Sequence, residues 1–296
     1  MRLAPIALFV YNRPTHTRRT IEALRNNELA RESDLIIFSD AAKEPGAGAK
    51  VAEVRQYIRT IDGFKSVKII ERDKNLGLAT SIIDGVTGIV NEHGRIIVLE
   101  DDLVTSPYFL AFMNDALDVY QNEEDVMHIS GYMFPINVSG LPETFFLRTA
   151  SCWGWATWKR AWMSFKKDPD KLLRDYSKET ISRFNMDDAY NFWIQVEQNA
   201  NRTKNTWAIF WYASVFEVGG LCLHPAISMV SNIGHDATGE HCKSSGDFSV
   251  VLASKPIAYF ESDIGECVAA HARLKEFFQM LKPTFLSRVI CWLKLA

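Results

Sequence analysis

Three consecutive carboxylates, Glu100-Asp101-Asp102, stand directly after the apolar run Ile96-Ile97-Val98-Leu99. Neighbouring carboxylates repel one another, and a divalent cation relieves that repulsion. An all-oxygen donor set selects hard cations, so Mn2+ or Mg2+ is the expected metal. A cation held there can bridge a diphosphate and stabilise the charge that develops as it leaves. The bland alternative is a solvated acidic turn. The apolar run argues against it, because it fixes the triplet at the end of a buried strand. Two more polar clusters stand in the same relation to an apolar run: Asn12-Arg13 after 6–10, and Ser39-Asp40 after 35–38. A guanidinium grips phosphate through paired N–H donors, and a carboxylate accepts from base N–H groups and sugar hydroxyls.

The elements that must position these groups alternate between strand and helix. Apolar runs at 6–10, 35–38, 67–70 and 96–99 predict four strands covered on both faces. Between them the spacing predicts helices carrying Ile21 and Leu24, then Val51, Val54 and Ile58, then Ile82, Val86 and Ile89. Thr15 or Thr17 is expected to cap the first helix, and Gly94 to end the third. This repetition predicts an α/β fold, Rossmann-like, with a mostly parallel central sheet flanked by helices. Ligands in such sheets bind beyond the carboxyl ends of the strands, where all three polar clusters fall. Asn75 and Gly77 shape a loop at the same edge.

The second half has a different texture. Residues 107–120 predict a helix and 126–130 a strand, followed by the tryptophans Trp153, Trp155, Trp158, Trp162, Trp193, Trp207 and Trp211. Indoles pack on sugar CH groups, and Gly154 between Trp153 and Trp155 allows close backbone approach to a ligand, so this trio is a candidate sugar-binding element. Trp158 and Trp162 are expected together on one helix as core residues, and Trp207 and Trp211 as core also. Residues 1–105 are expected to form a nucleotide-sugar-binding half. Residues 106–272 form an acceptor-side half with a closing loop near 232–242, and 273–296 an amphipathic basic tail, all on one continuous core. The tail suggests peripheral contact with an anionic membrane surface.

A formal net charge of -3 leaves no basic field for nucleic acid, so phosphate recognition must be local. Five scattered cysteines without a CxxC spacing fit a reduced, cytoplasmic chain, and the N-terminal apolar run is too short for a signal peptide.

In Ile97-Val98-Leu99-Glu100-Asp101-Asp102-Leu103, with Ser106-Pro107-Tyr108-Phe109 behind it, the chain resembles the metal-binding segment of the N-acetylglucosaminyltransferase I family and of bacterial family 2 glycosyltransferases. The resemblance extends to residues 8–14, 37–40, 152–155, 220–225 and 232–242, and implies the GT-A architecture. It implies that Asp102 binds the metal, Asp101 meets the ribose and Glu100 a hydroxyl of the donor sugar. Asp40 would accept from the base, Arg13 would hold the nucleotide, and His241 would touch metal or diphosphate. It implies a nucleotide-sugar donor, with a UDP-sugar expected, and a glycan or lipid-linked acceptor in surface polysaccharide synthesis. The chain departs from the pattern where the family places its catalytic base: Ala208 stands there. Asp236, Glu217, Asp187 and Asp188 remain as carboxylate candidates, with Asp236 preferred for its place in the closing loop. A non-catalytic nucleotide-sugar binder and a sugar nucleotidyltransferase are the alternative readings. The second lacks its glycine-rich phosphate loop in Val10-Tyr11-Asn12-Arg13-Pro14.

Overall fold

A computed structural model describes residues 3–234 and 247–281. Four strands open the chain: β1 (Ile6–Val10), β2 (Asp34–Ser39), β3 (Ser66–Glu71) and β4 (Arg95–Glu100). They lie side by side in the order β3-β2-β1-β4, and all three pairings are parallel. Parallel neighbours need crossovers, which here are α1 (Pro14–Arg25), α2 (Gly48–Ile58) and α3 (Leu78–His93). Side-chain alternation sorts each strand between two cores. Ile6, Leu8, Leu35, Ile37, Ile97 and Leu99 face the layer containing Ile21, Leu24, Val54 and Ile58. Ala7, Phe9, Ile36, Phe38, Ile96 and Val98 face the layer containing Ile82, Val86 and Ile89 of α3.

Two local features set where these helices begin and end. Pro14 occupies the first position of α1, making Arg13 the N-cap residue, so the threonines do not cap the helix as expected. Proline suits that position because its missing N–H would have no partner there and its φ is already helical. Thr17 instead turns its hydroxyl back to the Arg13 carbonyl at 3.0 Å. Gly94 ends α3 in the left-handed conformation at φ 80°, as its place in the sequence suggested.

Beyond β4 come β5 (Leu103–Thr105), α4 (Phe109–Val119), β6 (Val126–Ser130), β7 (Thr144–Leu147) and β8 (Trp155–Trp158). Three short helices follow, α5 (Lys159–Trp162), α6 (Pro169–Asp175) and α7 (Lys178–Phe184), then α8 (Trp193–Ala200) and α9 (Ala208–Glu217). The described chain ends through β9 (Leu221–Pro225), β10 (Val230–Asn232) and α10 (Val268–Met280). Four of these strands complete one eight-stranded sheet in the order β3-β2-β1-β4-β8-β6-β9-β7, while β10 pairs antiparallel with β5. β8 runs against both β4 and β6, and β6 runs parallel to β9. The carboxyl ends of β4, β6 and β9 therefore share one edge with the amino end of β8.

Trp158 closes β8 rather than sharing a helix with Trp162, because α5 begins only at Lys159. A four-residue spacing serves a strand-to-helix junction as well as a helix, and both indoles are buried as expected. No helix among the described residues is long and apolar enough to cross a membrane. In α10, Ala270, Leu274, Phe277 and Phe278 are buried in one cluster with Met133, Phe145 and Leu147. Residues 282–296 of the expected tail lie outside the described residues.

Candidate functional site

Parallel register sets β1, β2 and β4 to end together: Val10 stands opposite Ser39, and Phe9 opposite Glu100. Asn12-Arg13, Asp40 and Glu100-Asp101-Asp102 therefore emerge side by side. Arg13 is held by the start of α1, where its carbonyl accepts from the Thr17 amide at 2.9 Å. Its guanidinium donates through Nη1 to Asp102 Oδ2 at 2.9 Å, and Nη2 lies 2.8 Å from His16 Nε2. Only 13% of the Arg13 side chain and 16% of the Asp102 side chain is exposed, so this ion pair sits in a partly dehydrated cleft.

The triplet divides its labour. Asp101 is buried, its Oδ2 accepts from the Tyr11 amide at 3.3 Å, and its carbonyl accepts from Thr20 Oγ1 at 2.8 Å. Burial, followed by the Asp102 charge, pushes the Asp101 carboxyl up to about 7 against the opposing pull of Arg13. Burial, then Asp102 and Asp101, likewise raises Glu100 well above the usual carboxylate range. By strand alternation Glu100 continues the face of Ile96 and Val98. Cys152 lies near enough for Glu100 to raise its thiol further, after burial itself.

Asp40 is 7% exposed, and backbone amides take up both of its carboxylate oxygens. Ala41 and Leu76 donate to Oδ1 at 2.9 and 3.0 Å, and Gly77 donates to Oδ2 at 2.9 Å. Asn75 answers from the other side, donating Nδ2 to the Ala41 carbonyl at 2.7 Å. This reciprocal clasp joins the end of β2 to the start of α3, where Gly77 adopts φ 74°.

The tryptophan trio does not act together. Trp153 is partly buried at the sheet edge, edge-to-face with Tyr132 at 4.5 Å between centroids and with Phe248 at 6.0 Å. Trp155 is 1% exposed inside the second core layer, stacked on His128 at 5.4 Å and on Trp207 at 5.4 Å. On one continuous strand, residues two apart would share a face. Trp153 precedes β8, however, and Gly154 between them turns the backbone at φ 65°, so the two rings go to different layers. Gly154 has φ 65°, and a Cβ there would lie 2.7 Å from Val230 Cγ2. Its carbonyl accepts from the Gly131 amide at 2.7 Å. The close approach that this glycine permits is to the protein's own backbone and β10.

Asp236 and His241 lie outside the described residues. Ala208 begins α9, packed against the layer that also receives Cys152. Glu217 ends the same helix, four residues before β9 begins, at the sheet edge opposite the triplet, and binds Lys171 Nζ at 2.5 Å. Asp187 is held by His271 at 3.1 Å and Lys275 at 3.0 Å, and Asp188 by Ser182 at 2.7 Å.

Several participants carried no sequence signal. Arg55, beside the apolar stripe of α2, donates to the carbonyls of Arg72, Ser39 and Asp40 at 2.7, 3.4 and 3.4 Å, and so covers the carboxyl ends of β2 and β3. Gly234 follows β10 and lies against Asp102, where a Cβ would stand 2.1 Å from Oδ2. Behind the site, Trp211 Nε1 donates to His128 Nδ1 at 2.9 Å, leaving the ring proton on Nε2 to meet the Ser151 carbonyl at 3.0 Å. Among the described residues, no three His, Cys, Asp or Glu side chains converge as a metal cage. Asp102, its side chain 16% exposed, offers a cation a partly open carboxylate. That suits ions that take one or two protein carboxylates and fill their shell from water and substrate phosphate.

No family model and no curated protein matches the chain. Among solved structures, it is similar to the mannosyltransferase PcManGT from Pyrobaculum calidifontis in complex with GDP-Man and Mn2+, at 10% identity and a TM-score of 0.42, over 73% of this chain and 70% of that one. It is also similar to S. aureus TarS 1-349, at 10% identity and a TM-score of 0.43, over 76% of this chain and 59% of that one. With the UDP complex of the same TarS fragment the figures are 9% identity, a TM-score of 0.31, and 43% and 34% of the two chains.

Proposed function

We propose that this chain is a GT-A glycosyltransferase, moving a sugar from a nucleotide-sugar donor to a glycan or lipid-linked acceptor with Mn2+ or Mg2+ as cofactor. One observation carries the reading. On neighbouring parallel strand ends stand a guanidinium, a loop-anchoring carboxylate and an acidic triplet whose last member, Asp102, is paired with that guanidinium. The motif resemblance supplies the chemistry for which such an edge is suited. A UDP-sugar is the proposed donor and surface polysaccharide the proposed product class.

Asp102 would hold the cation, which when bound neutralises charge on the departing diphosphate. Arg13 grips the diphosphate with donors that match its oxygens. Asp40, through the clasp on Asn75–Gly77, shapes the floor on which the base rests, while Glu100 and Asp101 accept from donor hydroxyls. The partly open indole of Trp153 offers a face to the donor sugar. A buried, low-polarity setting strengthens each of these contacts by excluding water. Ala208 cannot take up a proton, and Glu217 stands at the far edge of the sheet, so Asp236 is the proposed base for the acceptor hydroxyl. Asp236→Asn should then lower single-turnover rates by about 10²–10⁴ with donor affinity nearly unchanged.

Thermal stability with a panel of nucleotide sugars, with and without Mn2+, tests the donor reading. A true donor at a hundred times its dissociation constant should add about 2.7 kcal/mol, and a flat panel would overturn the reading. Ala208 favours one second reading, a nucleotide-sugar binder without turnover. Free nucleotide released only when acceptor is present separates the two.

A further inference from the structure

Asp102 and Arg13 form a closed arrangement. The Asp102 carbonyl accepts from the Ile233 amide at 2.8 Å, and Gly234 is fixed by its own amide on Asn232 Oδ1 at 2.7 Å. The Gly234 backbone therefore walls one side of the carboxylate. A Cβ on it would stand 2.1 Å from Asp102 Oδ2 and 3.1 Å from Arg13 Nη1. Arg13 fills another side, 2.9 Å from Oδ2, with its backbone anchored at the start of α1. The carboxylate proposed to hold the cation is thus paired with a guanidinium in a confined space. A divalent ion bound to that carboxylate would face a like charge only a few ångströms away.

Resting on the donor-site reading above, we infer that Arg13 is an exchangeable counter-ion that couples metal binding to nucleotide binding. In the free protein it holds Asp102 and opposes the cation. A diphosphate offers the guanidinium a paired set of acceptors better matched than one carboxylate oxygen. Once Arg13 moves to that acceptor, Asp102 is released to the metal. Metal and nucleotide then bind together, and by linkage each raises the other's affinity by the same factor. Arg13 is thus a positioning residue that sets the order of loading and keeps the site from filling with metal alone.

The sign of one measurement tests this. Mn2+ binding to the full chain is measured by the electron spin resonance of free Mn2+, first without nucleotide and then with UDP or GDP. The wild type should bind Mn2+ alone weakly and more tightly with nucleotide. Arg13→Gln should bind Mn2+ alone roughly two- to fivefold more tightly than wild type, because the competing ion pair is gone. The same variant should bind nucleotide less well, and its metal–nucleotide coupling should fall towards one. Arg13→Lys, which keeps the charge without the fork, should lie between them. Asp102→Asn should abolish Mn2+ binding in both backgrounds. Mn2+ affinity in folded Arg13→Gln that is unchanged or lower, with the Asp102→Asn control still negative, overturns the inference and leaves the donor site standing. Mn2+ binding that survives Asp102→Asn removes the donor-site reading and this inference with it.

Discussion

At the scale of single residues, the site is built from groups whose charges are held in tension. Asp102 is the second cause, after burial, of the raised pKa of both Asp101 and Glu100. Removing its charge with Asp102→Asn should bring the Asp101 carboxyl down from about 7 towards the ordinary range, although burial still holds it up. Titration of the carboxyl carbon by NMR in wild type and variant measures this, and an unmoved Asp101 would mean that burial acts alone. Asp40 shows the opposite condition, a buried carboxylate fully satisfied by amides. Asp40→Ala leaves the Leu76 and Gly77 amides without their partner. The loss should cost about 1–3 kcal/mol in urea unfolding. Nucleotide affinity should fall as well, since the floor of the site moves with the loop. A variant that loses affinity at full stability would assign Asp40 to the ligand rather than to the loop.

At the scale of elements, the site depends on two tight junctions. One is the passage from β10 past Asp102, and the other is the pair Gly131 and Gly154 where β6 and β8 meet. Gly154 combines φ 65° with a neighbour 2.7 Å from any added Cβ, and that neighbour is Val230 of β10. Gly154→Ala should therefore cost roughly 1–2 kcal/mol for the left-handed backbone alone, with further loss from displaced β10. Because β10 leads to Gly234 and Asp102, the same variant should weaken Mn2+-dependent donor binding. Melting curves paired with calorimetry would show both effects. Stability lost without any change in binding would uncouple this junction from the site.

At the scale of the whole molecule, a buried histidine pair ties stability to pH. Burial, then the neighbouring His224, lowers His128 to about 3, and burial lowers His224 to about 4. Both are held neutral in the fold, whereas unfolded histidine protonates near 6.5. Between roughly 6.5 and 4 the unfolded chain binds more protons, so each histidine removes stability as pH falls, by up to about 1.4 kcal/mol per pH unit. The raised Asp101 and Glu100 act in the opposite sense over the same range, because the folded protein then holds the extra protons. The two effects oppose one another, so the wild-type profile should be shallower than the histidines alone would make it. In Asp101→Asn one opposing carboxyl is gone, and urea unfolding at pH 7, 6 and 5 should show stability falling more steeply with acid than in wild type. Parallel profiles would refute the opposition.

The first four strands and their helices were legible in the sequence, because apolar period and length are local signals that survive without any partner. The clusters after β1, β2 and β4 were legible for the same reason: parallel strands must end at one edge, so residues that follow three apolar runs must meet. Gly94 could be placed from its position alone, since a left-handed helix end demands glycine whatever packs on it. Tertiary structure decided what sequence spacing cannot carry. Trp153 and Trp155 share a motif, yet β8 opens between them and sends one ring to the edge and the other into the core. Arg55 reaches the strand ends from α2, Gly234 reaches Asp102 from β10, and Asp40 reaches Leu76 and Gly77 across 36 and 37 residues of chain. These contacts depend on which strand neighbours which, and on a face and a direction that only the assembled sheet supplies. The pairing of Arg13 with Asp102 belongs with them. The sequence supplies both charges at one edge, and packing by α1 and Gly234 brings them to 2.9 Å.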